Sequence, residues 1–553
     1  MEELLFNKPG KKIILLGNEA LVRGALEAGV QFVTTYPGTP ASEIGNIFAQ
    51  IAKRNNIYFE FSTNERVALE TAIGASFSGK KCLVAMKNFG LNVCAEPLLP
   101  FLYTGSKGPT VIAVGDDPSC WSSAQSEENS RGYAYLAHLP ILEPSDPVEC
   151  KEFTKAAFAI SEKFKIPVMI RFTTRVAHQK MPVVLGEIKP GAAGEGNFSR
   201  DPQAFVTMPP RVLEMKRELL EKIEKLRVFA EKSSLNKISG LASRQKNKKG
   251  IITSGVSHLY VQEALRELGV TLPVLKIGLF YPLAKKKIGN FIKGLKEVLV
   301  VEELEPYLEE EITRIAKEAN PKLKIHGKDL LPEIGEIRPE QVIFALAKLA
   351  NKKYSLPKKI EISEAVKRYP DFCPGCYYRL VFQAVKKAAP EDTIFGGDIG
   401  CYMIYSLPPY SLSDYLSAMG SSIGIGHGIK KSGKQKLISF IGDSTFFHSG
   451  IPALINTVFN KSNPLIIILD NQTTAMTGHQ TNPGLGITGM AEQTTPVSLE
   501  EIVKACGVKN IKVIDPINLA EMEAAIKEFL EKEEVSVIIA RRRCWLLSQR
   551  QKK

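Results

Sequence analysis

Short runs of branched apolar residues alternate along this chain with longer stretches in which apolar positions recur every three or four residues. In the first third, strand-sized runs lie at 13–16, 32–36, 82–86 and 110–114, and 19–28 carries a helical period between the first two. Strands separated by helices long enough to cross over predict an α/β fold on a parallel sheet. The periodicity fades over about 181–210, where Gly and Pro collect. It returns at 212–232 as a strongly charged helix, with Leu213, Leu220, Ile223 and Leu226 expected on one apolar stripe. A second α/β unit follows, with strands expected at 250–253 and 297–301. Beyond a lysine-rich connector comes a third, with strands expected at 437–441, 465–469 and 535–540. No internal repeat of short period is visible.

This pattern divides the chain into a first domain at 1–180, a linker and strapping helix at 181–249, a second domain at 250–350, a connector at 351–372, a third domain at 373–545 and a basic tail at 546–553. With 553 residues the chain can bury several cores without disulfide staples, at ~150 residues per domain. Hydrophobic residues at 44% and charged residues at 24% exclude disordered and collagen-like chains. The longest apolar runs, at 464–469 and 535–540, are too short to cross a membrane, and the chain opens on Glu2 and Glu3 rather than on a basic and then apolar segment. The expectation is a soluble, cytoplasmic protein. Its nine cysteines form no small-domain disulfide pattern and are expected to be reduced thiols available for metal or redox work.

The formal charge of +13 is concentrated in the middle third. Runs such as Lys246, Lys248, Lys249 and Lys285, Lys286, Lys287 have no aromatic residues among them, which suits a solvated face better than a nucleic-acid groove. A basic balance also suits an acidic protein partner. Between Arg541 and Lys553 there are six basic and no acidic side chains.

Two constellations carry chemistry. Gly442-Asp443-Ser444 directly follows one expected strand, and Asp470-Asn471 follows the next. Open α/β sheets bind ligands at such carboxyl ends. A short glycine turn lets backbone N–H groups approach a diphosphate, while an Asp carboxylate and an Asn carbonyl oxygen share a hard divalent cation. The pair is similar to the thiamine diphosphate signature, Gly-Asp-Gly followed by Asn, with Ser in third place. The second constellation is Cys373-Pro374-Gly375-Cys376 with Cys401 and Cys544. A thioredoxin-type pair needs no further cysteines, whereas zinc and a 4Fe-4S cluster each take four thiolates. Spacing leaves zinc and iron both open. Cys82, Cys94, Cys120, Cys150 and Cys506 are scattered and read as core or incidental residues.

Several longer motifs accompany these. They are Tyr36-Pro37-Gly38-Thr39-Pro40, Asn64-Glu65-Arg66-Val67-Ala68-Leu69-Glu70, Met86-Lys87-Asn88-Phe89-Gly90-Leu91-Asn92, Asp116-Asp117-Pro118-Ser119 and Glu143-Pro144-Ser145-Asp146. To them belong Gly442 through Gly450 and Asp470-Asn471 through Thr477-Gly478-His479-Gln480. Together with the cysteines they resemble the α subunits of indolepyruvate:ferredoxin oxidoreductases, among the thiamine-dependent 2-oxoacid:ferredoxin oxidoreductases, over nearly the whole chain. The resemblance implies a multidomain thiamine diphosphate fold: two related parallel-sheet α/β domains and a transketolase C-terminal-like α/β domain. It implies that Glu65 faces the cofactor's aminopyrimidine ring and activates the thiazolium. Gly442 and Ser444 would cradle the diphosphate, and Asp443, Asn471 and the carbonyl of Thr473 would hold Mg²⁺ on it. Thr39, Lys87, His448 and His479 become candidate substrate contacts, and Cys373, Cys376, Cys401 and Cys544 become ligands of one 4Fe-4S cluster.

The implied reaction is oxidative decarboxylation of an aryl 2-oxo acid, the acyl group passing to coenzyme A and the electrons to ferredoxin. The implied assembly is an α-chain dimer with a smaller β subunit in a heterotetramer, without nucleic acid or membrane, and the basic tail would attract an acidic ferredoxin. The usual α subunit of this family continues past the position of Cys544 into a module with two further four-iron clusters, whereas this sequence ends at Lys553. That departure keeps a non-oxidative decarboxylase open, and a second alternative, from another class, is a zinc-stabilised subunit without catalysis. Without the resemblance, Glu65 reads as a helix-start acid, Thr39 as a helix N-cap, both histidines as structural and Lys87 as the partner of a nearby carboxylate.

Overall fold

The computed structural model describes residues 2–189, 196–240, 248–357 and 368–550. Lys246, Lys552, Lys553 and much of the lysine-rich connector therefore lie outside the described residues. The chain forms two compact units, Met1–Ile360 and Glu361–Lys553.

The first unit holds two large sheets. One has seven strands in the order Leu279–Tyr281, Ile141–Leu142, Val168–Thr173, Thr110–Asp116, Cys82–Lys87, Phe32–Thr35 and Tyr58–Phe61. All neighbours run parallel except Leu279–Tyr281, which is antiparallel to Ile141–Leu142. Every residue of Thr110–Asp116 and Val168–Thr173 is buried, as expected of strands covered on both faces. The other sheet has five strands in the order Lys324–His326, Glu297–Val301, Lys249–Ser254, Val274–Ile277 and Lys237–Ser239, parallel apart from the last.

Three short strands do not follow the division expected from the sequence. Lys12–Leu16 pairs antiparallel with Lys180–Val184 in a separate ribbon instead of joining the parallel sheet. Its burial alternates along the strand, with Ile14 67% exposed, a pattern that a one-sided antiparallel ribbon tolerates. Lys237–Ser239 belongs to the second sheet, ahead of position 250, and Leu279–Tyr281 crosses from the second sequence region into the first sheet.

The strapping helix spans Arg211–Lys232 and buries Met215, Leu219, Ile223, Leu226 and Ala230. Leu213 and Leu220, expected on the buried stripe, are instead 64% and 43% exposed. The row from Met215 recurs every three or four residues without interruption, whereas Lys216 and Arg217 stand between Leu213 and Leu220. The helix therefore turns its continuous row inward.

A buried ion network ties the two sheets of this unit together. Arg131 donates to both carboxylate oxygens of Glu143 (2.6 and 2.7 Å) and to Glu302 (2.5 Å), and Arg171 donates to Asp116 (2.7 Å) and Glu143 (3.2 Å). Ser254 adds a hydrogen bond to Glu143 at 2.5 Å. Burial opposes ionisation of Glu143, but the two guanidiniums outweigh it and bring its pKa to about 2. Charges this deeply buried are tolerable only because each is paired.

The second unit contains one parallel sheet in the order Ile394–Gly396, Leu437–Gly442, Leu465–Asp470, Ser536–Arg541 and Asn510–Ile514. Its two strands Leu437–Gly442 and Leu465–Asp470 are buried throughout. Among the described residues no helix is long and apolar enough to cross a membrane.

The strapping helix gives a direct test of this packing. Leu226→Ala should destabilise the protein by about 2–5 kcal/mol through the cavity it leaves, whereas Leu220→Ala should cost no more than about 0.5 kcal/mol. Thermal unfolding of the two variants side by side checks the orientation of the helix, and equal losses would contradict it.

Candidate active site

Four neighbouring parallel strands of the second unit end at the same edge, and each carries a group singled out in the sequence just beyond its last residue. Ile394–Gly396 leads to Cys401, Leu437–Gly442 to Asp443 and Ser444, Leu465–Asp470 to Asn471 and Thr473, and Ser536–Arg541 to Cys544. Backbone hydrogen bonds extend the pairing past the last two strands. Arg542 N–H donates to the Asp470 carbonyl and Cys544 N–H to the Asn471 carbonyl, both at 3.0 Å. The loop bearing a proposed magnesium ligand and the loop bearing a proposed cluster ligand are thus bonded to each other.

Asp443 opens the helical turn after its strand and is buried, as are Ser444, Asp470, Asn471 and Thr473. Asn482 donates to the Asp443 carboxylate at 2.9 Å. Burial, reinforced by repulsion from Asp470, pushes Asp443 up to about 7 despite that bond. Asp470 is itself paired with Arg541 at 2.6 Å, and Arg541 also grips Glu500 at 2.6 and 2.9 Å. A cavity of about 270 Å³ lies over this cluster, lined by Asp443, Asp470, Gln472, Asn482 and Arg541 among others. The Asn471 side-chain oxygen accepts from Thr473 N–H (3.0 Å), and Thr474 donates to Ser444 (2.9 Å), tying the two loops together. One carboxylate, one amide oxygen and one main-chain carbonyl form a hard-oxygen donor set of the kind magnesium takes, and a divalent cation would hold the buried Asp443 ionised. The residues fit the ion.

The cysteines lie close by. Burial, with Cys373 and Cys544 as further contributors, raises the Cys376 thiol to about 11, and burial with the other three thiols raises Cys401 to about 12. Cys376 and Cys401 thus each lie within electrostatic range of Cys373 and Cys544. Among the described residues no three His, Cys, Asp or Glu side chains are arranged to hold a single metal ion. Within the Cys-x-x-Cys turn, Cys376 N–H donates to the Cys373 carbonyl at 3.0 Å. Gly375 has φ +76°, and a Cβ there would lie 2.8 Å from the indole of Trp545, so both conformation and space call for glycine. Trp545, next to Cys544, thus closes over the turn. Four thiols and no oxygen donor suit an iron-sulfur group in chemistry.

His448 is buried in the wide helical turn Phe446–Gly450. Its Nδ1 lies 2.8 Å from the Ser449 hydroxyl, which donates to the Met419 carbonyl at 2.7 Å, so Nδ1 carries the hydrogen. His479 faces Cys544 (Nε2 to Sγ, 3.6 Å) and Arg550 (Nδ1 to Nη1, 3.3 Å). Burial and the adjacent guanidinium hold His479 below the ordinary histidine range.

In the first unit, Glu65 is the first residue of the helix Glu65–Phe77, whose N-cap is Asn64, accepting from Val67 N–H at 2.9 Å. The Glu65 side chain is only 5% exposed and lies against the α-carbon of Gly90, where a Cβ would come within 2.5 Å of it. Thr39 is not a helix cap: the following helix, Ser42–Ile51, has Ala41 in that position, and the Thr39 hydroxyl meets that of Ser42 at 3.3 Å. Lys87 ends the strand Cys82–Lys87 and donates to the Ser122 carbonyl at 3.0 Å, while the Ser122 hydroxyl faces both the Thr39 carbonyl (3.2 Å) and the Asp117 carboxylate (3.0 Å), which compete for its single hydrogen. Burial lowers the Lys87 pKa to about 8 against the attraction of Asp117. Thr39 and Lys87 are thus joined through one serine.

Several of these supports are not singled out by the sequence pattern. Asn482 sits in an Asn-Pro-Gly turn that reads as a plain loop, and its partner Asp443 is 39 residues away. Asp398 is a buried carboxylate accepting from the backbone N–H groups of Gly420 and Ser422, which fixes the segment before Cys401. Gly90 and Ser122 act through close approach and a carbonyl, which leave no residue-type signature.

Three family models match successive parts of the chain. Residues 23–211 match the model described as "Pyruvate flavodoxin/ferredoxin oxidoreductase, thiamine diP-bdg", and residues 239–352 match the "Indolepyruvate oxidoreductase domain". Residues 398–540 match "Thiamine pyrophosphate enzyme, C-terminal TPP binding domain". The indolepyruvate oxidoreductase subunit IorA of Methanothermobacter thermautotrophicus is 44% identical over 99% of this chain and 89% of its own length. That of Thermococcus kodakarensis is 43% identical over 98% of this chain and 87% of its own. A solved structure of 2-oxoglutarate:ferredoxin oxidoreductase from Magnetococcus marinus, with 2-oxoglutarate, coenzyme A and succinyl-CoA bound, superposes with a TM-score of 0.50 at 18% identity. It covers 61% of this chain and 65% of that one, and shows a shared fold. With both thiamine diphosphate-binding domains and the indolepyruvate oxidoreductase domain between them, the chain belongs to the family of indolepyruvate oxidoreductase IorA subunits.

Proposed function

We propose that this chain oxidatively decarboxylates an aryl 2-oxo acid of the indolepyruvate kind with coenzyme A, delivering electrons through one 4Fe-4S cluster to ferredoxin. The observation that carries the reading is the single sheet edge at which Asp443, Asn471, Cys401 and Cys544 all emerge, with Cys544 N–H bonded to the Asn471 carbonyl. A diphosphate site and an electron exit would then stand side by side. Bound thiamine diphosphate supplies the carbon nucleophile and the electron sink for the decarboxylation.

The chain's own residues do the rest. Asp443, Asn471 and the Thr473 carbonyl hold Mg²⁺ on the diphosphate, with Gly442 and Ser444 beside it. Glu65 hydrogen-bonds the aminopyrimidine and sets its proton, and Gly90 keeps the space that lets the carboxylate lie there. Lys87 and Thr39, joined by Ser122, receive the substrate carboxylate, and His448 presents its Nε2 side to the reacting group. By resemblance to the family, the assembly assigned is a dimer of α chains with a smaller β subunit in a heterotetramer, working in the cytoplasm. The basic segment after Arg541 attracts an acidic ferredoxin.

Three outcomes test the reading. Protein purified anaerobically should contain iron and sulfide in equal amounts and, once reduced, give the electron paramagnetic resonance signal of a four-iron cluster. Zinc alone, even after reconstitution with iron and sulfide, would exclude the electron path. Glu65→Gln should bind cofactor nearly as wild type yet turn over about 10²–10⁴-fold more slowly, the range for a lost acid–base group; calorimetry and acyl-CoA formation measure the two, and full turnover would show the carboxylate to be misassigned. Asp443→Ala should abolish the Mg²⁺ dependence of thiamine diphosphate binding, because a charged ligand is removed from a hard cation. Titrations with and without Mg²⁺ report it, and an unchanged Mg²⁺ effect would place the ion elsewhere.

A further inference from the structure

One imidazole in the second unit joins a cysteine of the proposed electron path to a residue that path does not use. Nδ1 of His479 lies 3.3 Å from a guanidinium nitrogen of Arg550, and Nε2 lies 3.6 Å from the sulfur of Cys544. A guanidinium has donors only, so Nδ1 must accept. In a neutral imidazole the hydrogen is then on Nε2, and Nε2–H is directed at the cysteine sulfur.

Both sides of the contact are fixed by backbone bonds. The loop carrying His479 is closed by Thr474 N–H to the Gln480 carbonyl and His479 N–H to the Thr474 carbonyl, each at 3.0 Å. Cys544 is held to Asn471, and its own carbonyl accepts from Ser548 N–H at 3.0 Å in the turn that carries Arg550. His479 itself has φ +66°, a conformation that costs a side-chain-bearing residue energy and persists where the surroundings enforce it.

We infer that His479 is a positioning residue that donates a hydrogen bond to the Cys544 sulfur and thereby raises the reduction potential of the iron-sulfur group at the four cysteines. The inference rests on the cluster reading proposed above. Reduction adds negative charge that spreads onto the ligand sulfurs, and an N–H aimed at one of them stabilises the reduced form more than the oxidised form. Arg550 acts one step back, by holding the tautomer that places the hydrogen on Nε2.

The test is a redox titration, followed by electron paramagnetic resonance, of the full chain with its cluster reconstituted. His479→Asn keeps the left-handed turn, which Asn adopts readily, but its shorter amide stops short of the sulfur; His479→Gln restores the reach. We expect His479→Asn to shift the one-electron equilibrium about tenfold toward the oxidised cluster, a fall of roughly 59 mV. His479→Gln should recover most of it, with equal iron content in all three proteins. A second readout needs no cluster: ¹⁵N resonances of the imidazole in the unloaded chain should report hydrogen on Nε2. An unmoved potential in His479→Asn, an equal fall in His479→Gln, or hydrogen on Nδ1 would overturn the inference while leaving the cluster in place. Loss of the cluster signal from the wild-type protein would instead remove the reading on which it rests, and the inference with it.

Discussion

Parallel strands deliver all their carboxyl ends to one edge, and the candidate chemistry of the second unit depends on that constraint. The register Ile394–Gly396, Leu437–Gly442, Leu465–Asp470, Ser536–Arg541 sets four loops side by side. Main-chain pairing thereby gathers residues from 398 to 544 at one edge. The main-chain bond from Cys544 to Asn471 is the last rung of that ladder. An antiparallel arrangement would send alternate strand ends to opposite edges and separate the thiols from the diphosphate loops.

Charge is managed locally once the edge is formed. Asp443 and Asp470 are both buried, and two ionised carboxylates so placed repel one another. Arg541 takes up Asp470 together with Glu500, which leaves Asp443 the carboxylate whose charge a cation would settle. Asn482 then orients Asp443 without neutralising it. The first unit meets a similar problem differently, pairing Arg131 and Arg171 with Glu143, Asp116 and Glu302 at the junction of its two sheets. That network spans sequence separations of up to 171 residues and keeps the two sheets in one unit.

The first unit also shows how a site is shaped by what is absent from a side chain. Gly90 leaves room for the Glu65 carboxylate, and Ser122 works through a carbonyl toward Lys87 and a hydroxyl toward the Thr39 carbonyl. Such contacts position groups without an ion pair. The loop is held by Asp117, which accepts from Ser122 N–H and from the Ser123 and Thr174 hydroxyls.

The sequence alone determined the long buried strands, because Thr110–Asp116, Leu437–Gly442 and Leu465–Asp470 are apolar but for Thr110 and Ser439 and end on glycine or aspartate. It also determined the family and the chemical types at the sheet edge, since the motifs around Glu65, Asp443, Asn471 and the cysteines are contiguous and their chemistry is carried by residue type. What it left open was decided by packing and hydrogen bonding between distant segments. Three- to five-residue strands such as Lys12–Leu16, Lys237–Ser239 and Leu279–Tyr281 are too short for a period to fix their partner, so the ladder they joined depended on which edge was free. The strapping helix offered two apolar rows, and contact with the unit beneath chose the one through Met215 over Leu213 and Leu220. Asn482 met Asp443, and His479 turned its Nε2 to Cys544, only because the sheet brought their loops together; neither residue type nor spacing encodes a hydrogen bond whose partners lie 39 and 65 residues apart.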